Sequence, residues 1–378
     1  MHLTDSSSEI GGQSTIPRGI VDCPLFHWLG LVACMLLLAA CSRAEVFRHE
    51  AFVFGTRVDV AVYAEQQRAA DAAAAAVLRE FDRLHRAYHA WEPSELTALN
   101  AALARGEVAT VSDELAAMLK DAQRIAATGD ELFDPALGGL VALWGFHTDT
   151  FVPVRPDPDR LQALLDARPR MSDLVIDGNR VSTRNRAVQL DLGGYAKGYA
   201  LDRAAAILKQ QGVNNALINI GGNVLALGRK GEQPWRIGIQ HPREPAPLAT
   251  MPLYDGEAVG TSGDYQRYFM LDGERYAHLL DPRTGHPAHG TQSLTILVRP
   301  DTQDRDEGQG GHGGHAVGTL SDAASKPAYL AGDRWREQTR RFGIDHALRV
   351  AEDGRVEVTQ ALRARLQFIG DIKPVVVD

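Results

Sequence analysis

Cysteine is almost absent from this chain. Three occur in 378 residues, and all of them, Cys23, Cys34 and Cys41, fall near the N-terminus. The remainder can therefore hold neither a disulfide framework nor a thiolate metal site, which excludes several enzyme classes at once. Long runs of Lys or Arg are also missing: 40 cationic residues face 48 acidic ones, for a net charge of −8. Such a chain is a poor partner for nucleic acid, and any phosphate it binds must meet a local site rather than a basic face. No fixed-period repeat appears, so solenoids are excluded as well. Aromatics contribute only 7%, but 44% of the residues are hydrophobic, enough to bury a substantial core and to exclude global disorder.

The one long apolar run is "WLGLVACMLLLAA", Trp28 to Ala40, followed by Cys41. Thirteen uncharged residues are too few for a comfortable transmembrane helix but suit the core of a signal peptide. "LLAAC" resembles a bacterial lipobox, with small residues at Ala39 and Ala40 for the peptidase and Cys41 to take the lipid. The expected organisation is a signal peptide over 1–40, a lipidated polar tether over 41–50 and one catalytic body over 51–378, anchored in the bacterial envelope and facing the periplasm or exterior.

Along that body, "FVFGTRVDVAVYA" (52–64) alternates and reads as a strand, with Val58, Val60 and Val62 on one side. Residues 65–90 place Val77, Phe81, Leu84 and Tyr88 at helical spacing. Ser112–Ala127 reads as another helix, with Asp113 and Glu114 in the first turn where the dipole favours them. A further helix is predicted over 157–168. "AVQLDLGG" reads as a strand ending in glycines, followed by a helix over 197–211 closed by Gly212. Strands then dominate, in "ALINIGGNVLALG", "WRIGIQ" and "SLTILV", before helices from about 321 and 333 and a hairpin in "ALRVAEDGRVEVT". Mixed elements with consecutive strands indicate an α+β fold, a largely antiparallel sheet with flanking helices. Residues 301–318 hold six glycines with His312 and His315 three apart. A metal site needs rigid support, so this stretch reads as a flexible, solvated insertion.

The chemistry concentrates in "LDLGGYAKGYALD" (190–202). Its spacing is not the dinucleotide fingerprint G-x-G-x-x-G. What remains is a turn at Gly193–Gly194 after Asp191, with Lys197 where a helix starts. Helix-start amides favour anions and a lysine adds a point charge, though an ordinary glycine turn with a solvated lysine reads equally well from this segment alone. "NIGGN" (219–223) offers another close backbone approach. "GTSGDYQRYF" (260–269) gathers hydroxyls, Tyr265 and Arg267, and "HLLDPRTGHP" (278–287) combines His278 with a type I turn.

Taken in order, "FGT" (54–56), "SELTALN", "FDPALGGLVALWGF", "DLGGYAKGYALD", "NIGGN", "TSGDYQRYF" and "HLLDPRTGHP" resemble the ApbE-type FAD:protein FMN transferases across nearly the whole body. The resemblance implies a T-fold-related architecture. It also implies a Mg²⁺-dependent reaction that breaks the FAD pyrophosphate and joins FMN through a phosphoester to a Thr or Ser of a flavoprotein subunit, releasing AMP. Residue by residue, it implies FAD contacts from Phe54, Trp91, Leu132, Phe133, Asp134, Asp191, Lys197, His278 and Leu279. The metal would be bound by the Gly194 carbonyl and Asp322. His278 would orient or deprotonate the incoming hydroxyl, a role its near-neutral reference pKa permits. One position departs: where the family has Thr four residues after the metal-binding Asp, this chain has Lys326. Positions i and i+4 share a helix face, and an ammonium has no lone pair for a metal. Either Mg²⁺ is held by the remaining ligands with Lys326 adding a phosphate contact, or Lys326 partly replaces it. FAD hydrolysis to FMN and AMP, storage of FAD without chemistry, and a scaffold lipoprotein without flavin affinity are the competing readings.

Overall fold

The computed structural model describes residues 44–148, 150–300 and 315–378. The apolar run, Cys41 and His312 lie outside them. Nine strands form one sheet in simple chain order: β1 (Glu45–Val53), β2 (Thr56–Ala64), β3 (Ala216–Ile220), β4 (Asn223–Leu227), β5 (Ala258–Gly263), β6 (Thr291–Val298), β7 (His346–Ala351), β8 (Val356–Thr359) and β9 (Val375–Val377). Neighbours are antiparallel except β8 and β9, which run parallel. The α+β expectation with a largely antiparallel sheet holds.

Two expectations at the N-terminal side are corrected. Residues 45–50 are not a tether but the outer strand of the sheet, paired from Glu45 opposite Ala64. Alternation of exposed and half-buried side chains along "EVFRHEAFV" carries the strand, a period the charged residues had masked. The 52–64 segment is likewise not one strand: Phe54 and Gly55 both take positive φ, 58° and 65°, and fold it into a two-residue hairpin turn. The paired glycines of "NIGGN" make a second such turn, at φ 57° and 95°.

Val58, Val60 and Val62 point together, as predicted, into a core shared with the helices α1 (Gln67–Tyr88), α2 (Glu95–Arg105) and α3 (Asp113–Thr128). The boundaries agree closely with the periodicity. Ser94 and Ser112 cap α2 and α3 with their side chains, satisfying amides that would otherwise lack partners. Ala61, Val224, Leu348 and Val350 face the opposite side, where a three-stranded sheet (Trp235–Gln240, Pro247–Leu253, Gln367–Phe368) covers them. Buried on both faces, β6 carries no charged side chain.

Among the described residues the remaining α-helices are α4 (Gly138–Leu143), α5 (Pro158–Ala167), α6 (Ala196–Gln210), α7 (Val317–Ala323), α8 (Ser325–Leu330), α9 (Trp335–Arg341) and α10 (Gln360–Arg363). Residues 315–318 depart from the solvated loop expected of them. His315 is 3% exposed and its Nδ1 meets Asp121 of α3 at 2.6 Å, while Val317 and Gly318 already belong to α7. The glycine-rich composition concealed this end of the segment, because the partner that buries the histidine lies far away in sequence.

Candidate active site

The segment 187–194 is not a strand of any sheet, contrary to the sequence expectation, and its last two residues already form a turn. A single bridge ties Gln189 to Leu137, and the Asp191 amide donates to the Pro135 carbonyl at 2.8 Å. Asn100 of α2 replaces a sheet neighbour: its side chain donates to the Leu190 carbonyl at 2.9 Å and accepts from the Leu190 amide at 2.7 Å. A buried backbone must find such partners somewhere, and here a distant asparagine supplies them. The chain then turns through Gly193, whose amide donates to Asp191 Oδ1 at 2.8 Å, and enters α6 at Ala196. Lys197 lies in the first turn as predicted, its Nζ donating to the Gly193 carbonyl at 3.1 Å.

Glycines let α7 lie directly on α6. A Cβ on Gly198 would overlap the Gly318 carbonyl and sit 2.7 Å from Asp322 Cβ. From the sheet side, a Cβ on Gly260 of β5 would overlap the Ser321 carbonyl. Asp202 of α6 accepts from the Gly318 and Thr319 amides at 2.8 and 2.7 Å and so caps α7. Burial pushes the Asp202 carboxyl up to about 6 even against these bonds.

This clamp presents Asp322, only 1% exposed, to the start of α6. Its Oδ2 accepts the Gly198 amide at 3.0 Å. Its Oδ1 is ion-paired with Lys326 and lies 3.9 Å from Lys197 Nζ. Burial disfavours the carboxylate, but the two lysine charges and the hydrogen bonds outweigh it and hold Asp322 below the usual carboxylate range. Burial lowers Lys326 to about 8, with Lys197 adding to the shift and Asp322 opposing it. The Lys326 stem passes Gly194 closely: its Cε is 3.2 Å from where a Gly194 Cβ would be, and Phe133 Cε2 is 3.3 Å from the same point. Phe133, Gly194, Lys197, Asp322 and Lys326 are thus assembled from three separate stretches of sequence.

His278 is partly buried at the edge of this cluster. Its Nδ1 is 3.2 Å from the Arg267 carbonyl. A carbonyl can only accept, so Nδ1 carries the hydrogen and Nε2 keeps a lone pair. Burial, then the charges of Arg267 and Lys197, lower His278 to about 3. The histidine is therefore neutral throughout the physiological range, a hydrogen-bond acceptor of low basicity. The unfolded chain takes up the proton that the folded site refuses, so this group's share of stability is complete above about 6.5 and is lost as pH falls toward 3. The kcat/KM profile of the free enzyme is expected to show no His278 inflection between about pH 5 and 8. An inflection near pH 6.5 that disappears in His278→Gln would contradict this.

The other anticipated residues are more dispersed. Leu279 is buried next to His278. Leu132 and Asp134 border a cavity of about 260 Å³ together with Arg168, Arg170 and Arg283. Asp134 accepts the Ala136 and Met171 amides at 2.8 and 3.0 Å, and burial lifts it to about 7 despite them. Trp91 packs against His147 in a tilted arrangement at 5.5 Å, and Phe54 packs on Phe81 and His85 at 5.9 and 5.8 Å. Sequence reasoning did not assign roles to Asn100, Asp202 or Gly260. Asp202 closes the same thirteen-residue stretch as Lys197, one turn beyond Gly198 on the helix face that meets α7, and that spacing was the available signal.

Residues 54–306 match the model of the ApbE family. The chain belongs to the ApbE family. It is 40% identical over 323 residues to an FAD:protein FMN transferase of Rhodobacter capsulatus, spanning 84% of this chain but only 58% of that relative. It is 34% identical over 272 residues to one of Klebsiella pneumoniae, covering 70% of this chain and 81% of the relative. The crystal structure of an ApbE protein from Thermotoga maritima superposes with a TM-score of 0.75 at 32% identity, over 85% of this chain and 99% of that one. The ApbE match ends before Asp322 and Lys326, so the acid and lysine of this centre stand on the geometry described above.

Proposed function

We propose that this chain transfers the FMN moiety of FAD to a Thr or Ser hydroxyl of an acceptor flavoprotein and releases AMP. The observation that carries the proposal is the buried Asp322 with two lysine ammoniums at the N-terminus of α6, beside the Gly193–Gly194 turn. One carboxylate and two ammoniums leave a net positive charge at the positive end of the α6 dipole, a setting suited to a pyrophosphate. Phosphoryl transfer asks the protein mainly to position the partners and neutralise oxygen charge.

In the step, the acceptor oxygen forms a bond to the FMN-side phosphorus. The bond from that phosphorus to the bridging oxygen breaks, and the oxygen departs with AMP. The hydroxyl proton passes to water or to the departing AMP phosphate as the new phosphoester forms. His278 Nε2, with its lone pair fixed by the Arg267 carbonyl, accepts the hydrogen bond that orients the hydroxyl. Its low basicity favours orientation over full abstraction in the free enzyme. Lys197 meets the pyrophosphate, Phe133 and Leu279 supply apolar contact, and Asp191 fixes the Gly193 turn. Asp134, Leu132, Trp91 and Phe54 line the path of the flavin nucleotide.

Mg²⁺, which the family resemblance implied, does not fit this centre. Both carboxylate oxygens of Asp322 are engaged within the chain, and two ammoniums already face them. A dication there would meet like charge instead of ligands.

The reaction asks for an acceptor with an accessible Thr or Ser, and the family resemblance implies a flavoprotein subunit of an electron-transfer system. An envelope location through lipidated Cys41 is part of the same proposal, supported by the apolar run that precedes the cysteine. Cys41→Ser is expected to lose metabolic palmitate labelling, and unchanged labelling would refute the anchor.

The test of transfer is the intact mass of a Thr-bearing acceptor domain incubated with the enzyme and FAD. An FMN-sized gain that vanishes when the acceptor Thr is replaced by Val supports transfer. AMP formed without a mass gain would mean hydrolysis, and bound FAD without either product would mean a flavin carrier.

A further inference from the structure

We infer that the Lys326 ammonium is the resident cation of this centre, filling the place between Gly194 and Asp322 where a divalent ion would otherwise sit. The inference rests on the transferase reading and adds to it how the pyrophosphate charge is met.

Position decides the matter first. The Lys326 stem runs past Gly194, with Cε 3.2 Å from the point a Cβ would occupy, so the approach from the Gly194 side is taken up by methylenes. Beyond them, Nζ donates both to the Asp322 carboxylate and, at 2.8 Å, to the Asp322 backbone carbonyl. Two acceptors on one residue hold the ammonium in a single place at the junction of α7 and α8. The second carboxylate oxygen is used by the Gly198 amide.

The adjacent Ser325 hydroxyl does not compensate for the missing threonine. Ser325 donates to the Asp322 carbonyl at 2.7 Å and shares a 2.7 Å hydrogen bond with Ser262, both buried. It is held away from the carboxylate by its own partners.

Charge agrees with position. Asp322 contributes −1, and Lys326 and Lys197 contribute +2, leaving +1 to meet the two negative charges of a bound pyrophosphate. An added dication would raise the centre to +3 before substrate arrived. An ammonium also has three donors, and one remains after the two bonds to Asp322. That donor is available to a non-bridging phosphate oxygen, whose charge rises as the bond to AMP breaks.

The experiment compares metal-stripped protein in EDTA and in Mg²⁺, reading AMP and acceptor mass, with Mn²⁺ binding followed by electron paramagnetic resonance without FAD. The wild type is expected to keep its transfer rate within about tenfold in EDTA and to leave Mn²⁺ free. A metal acting as Lewis acid contributes several kcal/mol, so its loss would exceed about tenfold. Lys326→Thr restores a hydroxyl and is expected to lose about 100-fold in EDTA, to recover in Mg²⁺ and to bind Mn²⁺. A wild-type rate that falls by more than about tenfold in EDTA, or Mn²⁺ bound by the wild type and released in Asp322→Asn, overturns the inference while transfer itself stands. Absence of product in both conditions removes the transferase reading and this inference with it. Should Lys326→Thr fail to fold, the wild-type arms decide alone.

Discussion

Replacing Asp322 by Ala is expected to lower transfer by about 10³-fold, the scale of losing a preorganised charge at a reacting centre. It also costs about 3–5 kcal/mol of stability, because it strands Lys326, whose side chain is only 12% exposed, without its partner. The two effects separate in the double variant Asp322→Ala with Lys326→Met. An apolar side chain of similar length removes the uncompensated charge, so stability recovers in urea titration. Activity does not, because both the carboxylate and the resident ammonium are gone. Recovery of activity in the double variant would show that the pair is structural and that FAD is cleaved elsewhere. Unchanged stability in the single variant would show that Lys326 finds water or another acceptor.

Gly260→Ala is the second large effect, and it acts from the face of the sheet on which α7 packs. The added methyl would overlap the Ser321 carbonyl, one residue before Asp322. A flexible side chain could move away from a new methyl group, but a helix carbonyl cannot move without its helix. Helix α7 is held on its other face by Gly198 and by the Asp202 cap. Overpacking of well-packed sites costs about 1–3 kcal/mol, and backbone contact places this variant at the upper end. The carboxylate is displaced at the same time, so FAD affinity falls together with the urea midpoint. A soluble protein with native midpoint and native FAD affinity would mean that α7 slides freely and does not position the acid.

What could be read in advance follows from where the partners lie. The α1 and α3 helices were legible because their apolar spacing is local, as is the Ser112 cap of α3, and Val58, Val60 and Val62 fixed the inner face of β2 for the same reason. The first strand was not legible, since its charged residues hide a period that only pairing with β2 makes stable. The 187–192 segment looked like a strand because it is apolar and extended, yet its backbone partners are an asparagine side chain and a loop. Lys197, Asp322 and the departure at Lys326 were visible as residues. Their convergence was not, because it depends on glycines at 198, 260 and 318 that a one-dimensional reading cannot pair. His278 was visible too, but its depressed basicity comes from burial and from cations contributed by other segments.

The most direct measurement counts AMP against covalently attached flavin in a single turnover, with the acceptor domain in excess over FAD. If the Asp322–Lys326 centre transfers FMN, the two products appear together, in equal amounts and at one rate, and both disappear in Asp322→Ala. AMP that forms at the same rate without acceptor, or that persists in Asp322→Ala, would contradict transfer at this centre.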